Sequence, residues 1–326
     1  TDDAFPDIVL VTNTFGSHTL FLGAGQDVSG FNFANRNINL APVLTVPGAQ
    51  TVDEDVTLTF DSSAPANAIT IADPDEALNP GSKIALFLNV TNGTLTFPVT
   101  TGLGFQSGTT NGSSNIIVTG TLTDLNAALN GLQFFGDPDF NGLATLNVVA
   151  DDLGNFGAGG PLTDTEVITI NVAAVNDAPV LADIEAGVVA YTENDPATQI
   201  TNAITVTDVD DTNIENATAQ ITRNYQTSQD VLSATGLPGG ITANFNAVNG
   251  TLTLSGSASK ADYQTALRAV QYTNSSESPN TLTRTVTFTV NDGDANSNIQ
   301  TRDVTVTSVN DAPLLANIEA GNVAYT

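Results

Sequence analysis

The sequence predicts an all-β protein: tandem β-sandwiches, each carrying one short helix. Three observations lead there. The stretch VNDAPVLADIEAGVVAYTENDP (175–196) returns as VNDAPLLANIEAGNVAYT (309–326), 134 residues later, which is the spacing of one domain in a tandem array. Outside its apolar 40% the composition is dominated by Thr, Asn, Ser, Gly and Asp rather than Lys and Glu; Thr and Val favour pleated surfaces, and Asn, Gly and Asp favour turns. Apolar residues alternate with Thr over many short segments, the period of a sheet with one buried and one wet face.

Each element follows in order. NGTLTF (92–97) and NGTLTL (249–254) each read as a turn feeding a strand. EVITINV (166–172) turns Ile168, Ile170 and Val172 inward; TLTRTVTFTV (281–290) does so with Leu282, Val286, Phe288 and Val290, and DVTVTSV (303–309) with Val304 and Val306. Two segments break the alternation. TLTDLNAALNGLQFF (121–135) aligns with ASKADYQTALRAVQY (258–272), matching Asp124 to Asp262 and Phe134 to Tyr272. Leu125, Leu129 and Leu132 there follow helical spacing, so each repeat is expected to hold a short helix bridging its sheets. The expected divisions are 1–38, 39–175, 176–309 and the start of a further repeat at 310–326. The start at Thr1 and the stop inside a copy predict a piece of a longer stalk.

Charge narrows the function. There are 35 acidic residues against 7 basic, a net charge of −28. Too few cations remain to neutralise phosphates, so nucleic acid is excluded as a partner, and an anionic membrane would repel the chain. Neither a signal peptide nor an apolar run of spanning length is present. With no cysteine there is no disulfide or thiol chemistry. The only histidine, His18, lies inside an alternating pattern and reads as a surface residue. Triads built on Cys or His lack their parts, and no Gly-rich phosphate cradle occurs. Without tryptophan and with few tyrosines, a sugar-stacking cleft for glycoside hydrolysis is poorly supplied. An enzyme is not expected. Lys83 and Lys260, the two lysines, read as exposed turn residues rather than isopeptide cross-links.

Acidity alone fits a solubilising surface or adaptation to brine, and a single Asp pair fits a turn. Placement argues for more. Of the 35 acids 27 are Asp, and they recur in both repeats at predicted strand ends. VNDAP places Asn176 and Asp177, and again Asn310 and Asp311, on extended linkers fixed by Pro179 and Pro313. Glu54 and Glu193 follow the first strand of each repeat. IADPDE supplies Asp73 and Asp75, matched by Asp208 and Asp210 in VTDVDD. GDPDF supplies Asp137 and Asp139, with Glu277 in the comparable place. VADDLGN is matched by VNDGDANSN, with Asp292. Calcium takes six to eight oxygens at about 2.3–2.6 Å, more than one linker provides, so neighbouring loops must contribute.

The order of these motifs resembles cadherin repeats, and ADYQTALRAVQYTNSSESP followed by VNDG is similar to the cadherin-like and chondroitin-sulfate-proteoglycan-like repeats of giant bacterial surface adhesins. The resemblance covers about 39–326. Residues 18–37 resemble the end of a Cna-B-like repeat, which implies a transthyretin-like sandwich. The cadherin resemblance implies an Ig/cadherin-like fold and calcium (Ca2+) at the linkers. The first linker site would take Glu54, Asp137 and Asp139, then Asn176 and Asp177, then Asp208, Asp210 and Asp292. The next would start from Glu193, Glu277, Asn310 and Asp311. Leu40 stands where a linker Asp is expected, so the site ahead of the first repeat is expected to be weak or missing. The implied role is a calcium-stiffened adhesive stalk, extracellular at the cell surface. Its partners would be neighbouring repeats or other copies of itself, with cell-surface glycans or proteins at a tip. The alternatives are a filament subunit polymerising by strand donation from 314–326, and a carbohydrate-binding module.

Overall fold

The computed structural model describes residues 8–13, 16–21, 38–63, 67–156, 158–313 and 321, the first two stretches by backbone alone. Two compact units share the chain: Thr1–Gly48, Thr59–Phe134 and Thr145–Ile168 in one, and Ala49–Leu58, Phe135–Ala144 and Thr169–Thr326 in the other. Strands β1 (Ile8–Asn13) and β2 (Gly16–Phe21) form an antiparallel hairpin. Most of the Cna-B-like phrase, and the proposed donor strand at 314–326 apart from residue 321, lie outside the described residues.

The first repeat contains β3 (Val43–Thr45), β4 (Gln50–Asp53), β5 (Leu58–Phe60), β6 (Thr70–Ala72), β7 (Lys83–Val90), β8 (Gly93–Thr96), β9 (Gly104–Phe105), β10 (Asn115–Thr121), helix α1 (Leu122–Leu129), β11 (Leu132–Gly136), β12 (Gly142–Asp151) and β13 (Thr163–Ala173). Its main sheet runs β4-β13-β12-β7-β10-β9, a smaller one runs β5-β11-β8, and β3 pairs with β6. The second repeat contains β14 (Val180–Ala182), β15 (Val189–Thr192), β16 (Thr198–Gln199), β17 (Thr205–Thr207), β18 (Asn213–Arg223), β19 (Asp230–Ala234), β20 (Thr242–Asn246), β21 (Thr251–Ser259), helix α2 (Lys260–Arg268), β22 (Val270–Asn274), β23 (Arg284–Asn291) and β24 (Gln300–Thr307). Its sheets run β15-β24-β23-β18-β21-β20 and β16-β22-β19, with β14 on β17. The two repeats therefore share one topology strand for strand, although most of their residues differ.

The alternation works as expected. Ile168, Ile170 and Val172 on β13 are buried, as are Val286, Phe288 and Val290 on β23 and Val304 and Val306 on β24. Each such side chain contributes roughly 1.5–3 kcal/mol on leaving water. Leu282 departs from the pattern: it precedes β23 and is exposed, because the strand begins only at Arg284. Arg284 itself takes an inward position and is fully buried.

Both helices start on a hydroxyl cap. Thr121 Oγ1 accepts from the Asp124 amide at 3.2 Å, and Ser259 Oγ from the Asp262 amide at 3.1 Å; this satisfies a first-turn donor and sets a carboxylate by the helix N-terminus. Leu125 and Leu129 lie on α1 and are buried, but Leu132 belongs to β11. Gly131, with φ +100°, separates the two, and its amide donates to Phe60 O at 2.7 Å. Lys83 is the exposed first residue of β7. Lys260 is not in an exposed turn: it opens α2, half-buried, and its ammonium donates to the carbonyls of Asp208 and Asp211.

One pairing places the candidate ligands. β4 lies parallel to β13 (Val52 opposite Val172), and β15 lies parallel to β24 (Tyr191 opposite Val306). The ladder continues one step past each short strand, with Glu54 N donating to Ala173 O at 2.9 Å and Glu193 N to Thr307 O at 2.8 Å. Each glutamate is thus held where the last strand of its own repeat runs into the linker.

Candidate metal centre

Three acidic groupings have carboxylate oxygens within 4.8 Å of one another: Asp55, Asp139 and Asp177; Glu193, Glu277 and Asp311; and Asp208, Asp210 and Asp211. All nine residues belong to the second compact unit.

The first grouping is built by the strand ends just described. Glu54 is buried; its Oε1 accepts from Val175 N at 2.6 Å, and Asn141 Nδ2 donates to its Oε2 at 3.5 Å. Asp55 and Asp139 both adopt left-handed backbone, φ +58° and +57°, which Asp tolerates better than most residues. The Asp139 amide donates to Asp55 Oδ1 at 3.4 Å. Asp177 joins them from the linker. Burial, followed by the charges of Asp139, Asp210, Asp55 and Glu54, pushes its carboxyl above the ordinary carboxylate value.

Asp177 also reaches the next grouping, because its amide donates to Asp210 Oδ2 at 3.1 Å. Asp208 Oδ1 accepts from the amides of Asp210 and Asp211 at 3.2 and 2.8 Å, folding this loop on itself. Its Oδ2 is buried with no hydrogen-bond partner. Desolvation and Asp210 raise the Asp208 carboxyl, and desolvation with Asp210, Asp292 and Asp294 raises Asp211. Asp292 is lowered instead: burial works against its charge, but the Ala295 amide and Asn176 Nδ2, the latter at 3.1 Å, outweigh it.

The first repeat shows the same set at its own beginning. Asn39 Nδ2 donates to Asp152 Oδ2 at 2.6 Å, as Asn176 does to Asp292, so Asp152 is the counterpart of Asp292. The Leu40 amide donates to Asp75 Oδ2 at 2.6 Å, as Asp177 does to Asp210. Asp75 N donates to Asp73 Oδ1 at 2.9 Å. Asp73 is 9% exposed and Asn39 3%, and both Asp73 Oδ2 and Asn39 Oδ1 are buried acceptors without a donor. Desolvation, then the charges of Asp152, Asp75 and Glu76, raises Asp73.

The third grouping repeats the first with one change. Glu193 is 4% exposed; its Oε2 accepts from Val309 N at 2.7 Å, while its Oε1 is buried with no partner. Asn194 occupies the left-handed place of Asp55, with φ +68°, and its Nδ2 donates to Glu277 Oε2 at 3.4 Å. Asn310 turns its amide to Asp311 O at 3.2 Å, as Asn176 does to Asp177 O at 3.1 Å.

Most sequence-predicted ligands therefore gather. Asp137 does not: its side chain is exposed and stands outside the groupings, and only its carbonyl is used, by Phe140 N at 3.1 Å. Asp55 and Asp211 were missed. Both adjoin predicted ligands, and the signal for Asp55 is its place in the Glu-Asp step ahead of β5, where Asn194 stands ahead of β16 in the other repeat.

An uncompensated buried acceptor costs about 1–3 kcal/mol, and clustered carboxylates add repulsion. Protein cations answer it at one point, where Lys260 donates to the carbonyls of Asp208 and Asp211 and works against the rise of the Asp211 carboxyl. Among the described residues the two ion pairs are Arg284–Asp230 and Arg302–Glu185, both away from the groupings. The donors are all oxygens, which suits a hard cation. Ligands at about 2.3–2.6 Å from one ion lie at most about 5 Å apart, and the carboxylate oxygens of each grouping lie within 4.8 Å of one another.

No family model matches the chain. Halomucin of Haloquadratum walsbyi (strain DSM 16790 / HBSQ001) is 30% identical over 229 residues, and the matched stretch is 68% of this chain and 2% of that protein. The chain thus spans a small part of that relative's length. Among solved structures, protocadherin gamma B2 extracellular cadherin domains 1–5 match at 16% identity and TM-score 0.33, over 85% of this chain and 42% of that one. Mouse cadherin-23 EC22-24 matches at 14% and 0.30, over 83% and 67%. The C-terminal domain of the Streptococcus pyogenes antigen I/II-family protein AspA matches at 12% and 0.27, over 82% and 100%. At such scores the fold rests on the strands and sheets described above. Among the described residues no helix is long and apolar enough to cross a membrane.

Proposed function

We propose that this chain is a structural, adhesive repeat segment of an extracellular surface protein, and that calcium held by its linker acids stiffens it. The observation that carries the reading is Glu193 Oε1: a buried carboxylate oxygen with no donor, in a grouping with Glu277 and Asp311 whose members belong to neither ion pair of the described residues. Asp208 Oδ2, Asp73 Oδ2 and Asn39 Oδ1 are likewise buried acceptors with no donor. Calcium takes six to eight oxygens in irregular geometry, which suits acids gathered from separate loops better than the near-ideal octahedron that magnesium demands. The same orphan acceptors favour a cation ahead of the first repeat even though Leu40 replaces the linker Asp. The work is mechanical. Neighbouring repeats or further copies are the partners this reading implies, and a tip elsewhere would meet the ligand.

The test is calcium titration of the chain against chelator, followed by thermal melting and small-angle scattering. Calcium should raise the melting temperature and narrow the distribution of shapes, and Asp177→Asn should remove the second effect. If neither melting nor scattering responds to millimolar calcium, the reading fails.

A further inference from the structure

The second repeat buries a charged network that the calcium reading does not use. Arg284 and Asp230 are both 0% exposed and joined at 3.2 Å. Tyr272 OH and Asn274 Nδ2 each donate to Asp230 Oδ1 at 2.6 Å, and the Gln226 amide donates to Oδ2 at 2.7 Å. Charges so buried cost several kcal/mol each to desolvate, and the first repeat has no charge at the place of Arg284. Its counterparts of Tyr272, Asn274 and Arg284 are Phe134, Gly136 and Ala144, and Val52 takes the place of Tyr191.

The network's outer bonds show what differs. Arg284 Nη1 donates to the carbonyls of Asn280 and Leu282, the latter at 2.6 Å. Asn274 Oδ1 accepts from Ser276 N at 2.9 Å. Tyr191 OH donates to Asn274 O at 3.0 Å and Asp195 O at 3.2 Å, its ring edge-on to Tyr272 with centroids 5.1 Å apart. The segment gripped at both ends, 275–283, carries Glu277; the turn gripped through Asp195 carries Glu193. In the first repeat the connection after β11 is only 137–141, short enough to be fixed by its two strands.

We propose that Arg284, Asp230, Asn274 and Tyr191 are positioning residues that hold Glu277 and Glu193 at cation-binding separation, a device needed by the longer connection of the second repeat. The proposal rests on the calcium reading and is tested so that the two can fail separately. The variants are Arg284→Met with Asp230→Asn, which leaves no stranded charge and keeps an acceptor for Tyr272, and the milder Tyr191→Phe. Hydrogen exchange of 275–283 is measured in chelator. Calcium binding is measured by titration, with Glu277→Gln as the reference for loss of that site. The expected result is exchange in 275–283 faster by tenfold or more, unchanged exchange in 137–141, and calcium affinity of the Glu193–Glu277–Asp311 site at least tenfold weaker while the Asp55–Asp139–Asp177 site keeps its own. Unchanged exchange, or faster exchange with unaltered affinity, overturns the positioning role alone. Failure of the unsubstituted chain to bind calcium overturns both.

Discussion

Asp230→Ala is the most demanding single perturbation. It leaves the fully buried Arg284 guanidinium without its counter-charge and deprives Tyr272 OH and Asn274 Nδ2 of their acceptor. Breaking a buried pair from one side costs about 3–5 kcal/mol, and orphaned donors add about 1 kcal/mol or more each, so about 5 kcal/mol is expected. That approaches the whole stability of a small domain, about 5–15 kcal/mol, and at roughly 4 °C per kcal/mol lowers its melting temperature by about 20 °C. Removing both charges with Asp230→Asn and Arg284→Met should recover all but about 2 kcal/mol, because buried ion pairs replaced by neutral groups of similar volume are close to neutral. Tyrosine emission reports the event locally. The chain has five tyrosines and no tryptophan, and Tyr191, Tyr225, Tyr263 and Tyr272 all lie in the second repeat. Urea unfolding followed by tyrosine emission should shift strongly for the single variant, while the remaining circular-dichroism transition stays in place. A cost under about 1.5 kcal/mol, or a double variant no better than the single one, would refute the reasoning.

Other outcomes follow from the groupings. Saturating calcium at about a hundredfold over its dissociation constant should add about 2.7 kcal/mol per site to unfolding stability, and chelator should reverse it; a calcium-independent denaturation midpoint contradicts that. Asp177→Asn should change sign with calcium, raising the melting temperature in chelator by relieving repulsion from Asp139, Asp210, Asp55 and Glu54, and lowering it in calcium. The same sign in both buffers would show that no ion is shared there. For Asp73, Asp177, Asp208 and Asp211, whose folded values lie above their unfolded ones, the folded state binds the extra protons. Their part of the stability in chelator should fall as pH rises through that window, and excess calcium should flatten the slope. Glu185 runs the other way. Burial opposes its charge, but hydrogen bonds from Thr201 Oγ1 and the Asn202 amide, with Arg302, hold it at about 2. It supports folding above its unfolded value near 4.5, and that support is lost as pH falls toward about 2; Glu185→Gln should remove this acid-side dependence, read from melts between pH 2 and 5.

The fold was legible because local rules agreed with the tertiary structure. Thr at outward positions kept the parity of β13, β23 and β24 clear, and Thr121 with Asp124, like Ser259 with Asp262, marked helix starts by residue type alone. Glu54 and Glu193 could be read as acids after an early strand, but that strand is the second of each repeat, β4 or β15, not the first, and its parallel ladder with the last strand, which fixes them, has no local signature. The choice between Asp137 and Asp139 depended on which of two nearby carboxylates a left-handed turn presents, and no periodicity carries that. Arg284 was visible as an inward-parity charge in TLTRTVTFTV, yet its partner Asp230 lies 54 residues away, beyond any local pattern.

The side-by-side parallel run of β4 with β13, and of β15 with β24, bears on how a repeat resists being pulled. Traction along the final strand slides it past a neighbour pointing the same way, so the cross-links between them are strained together instead of opening one after another. A metal bound at the glutamate capping each run would sit at the end where that sliding has to begin.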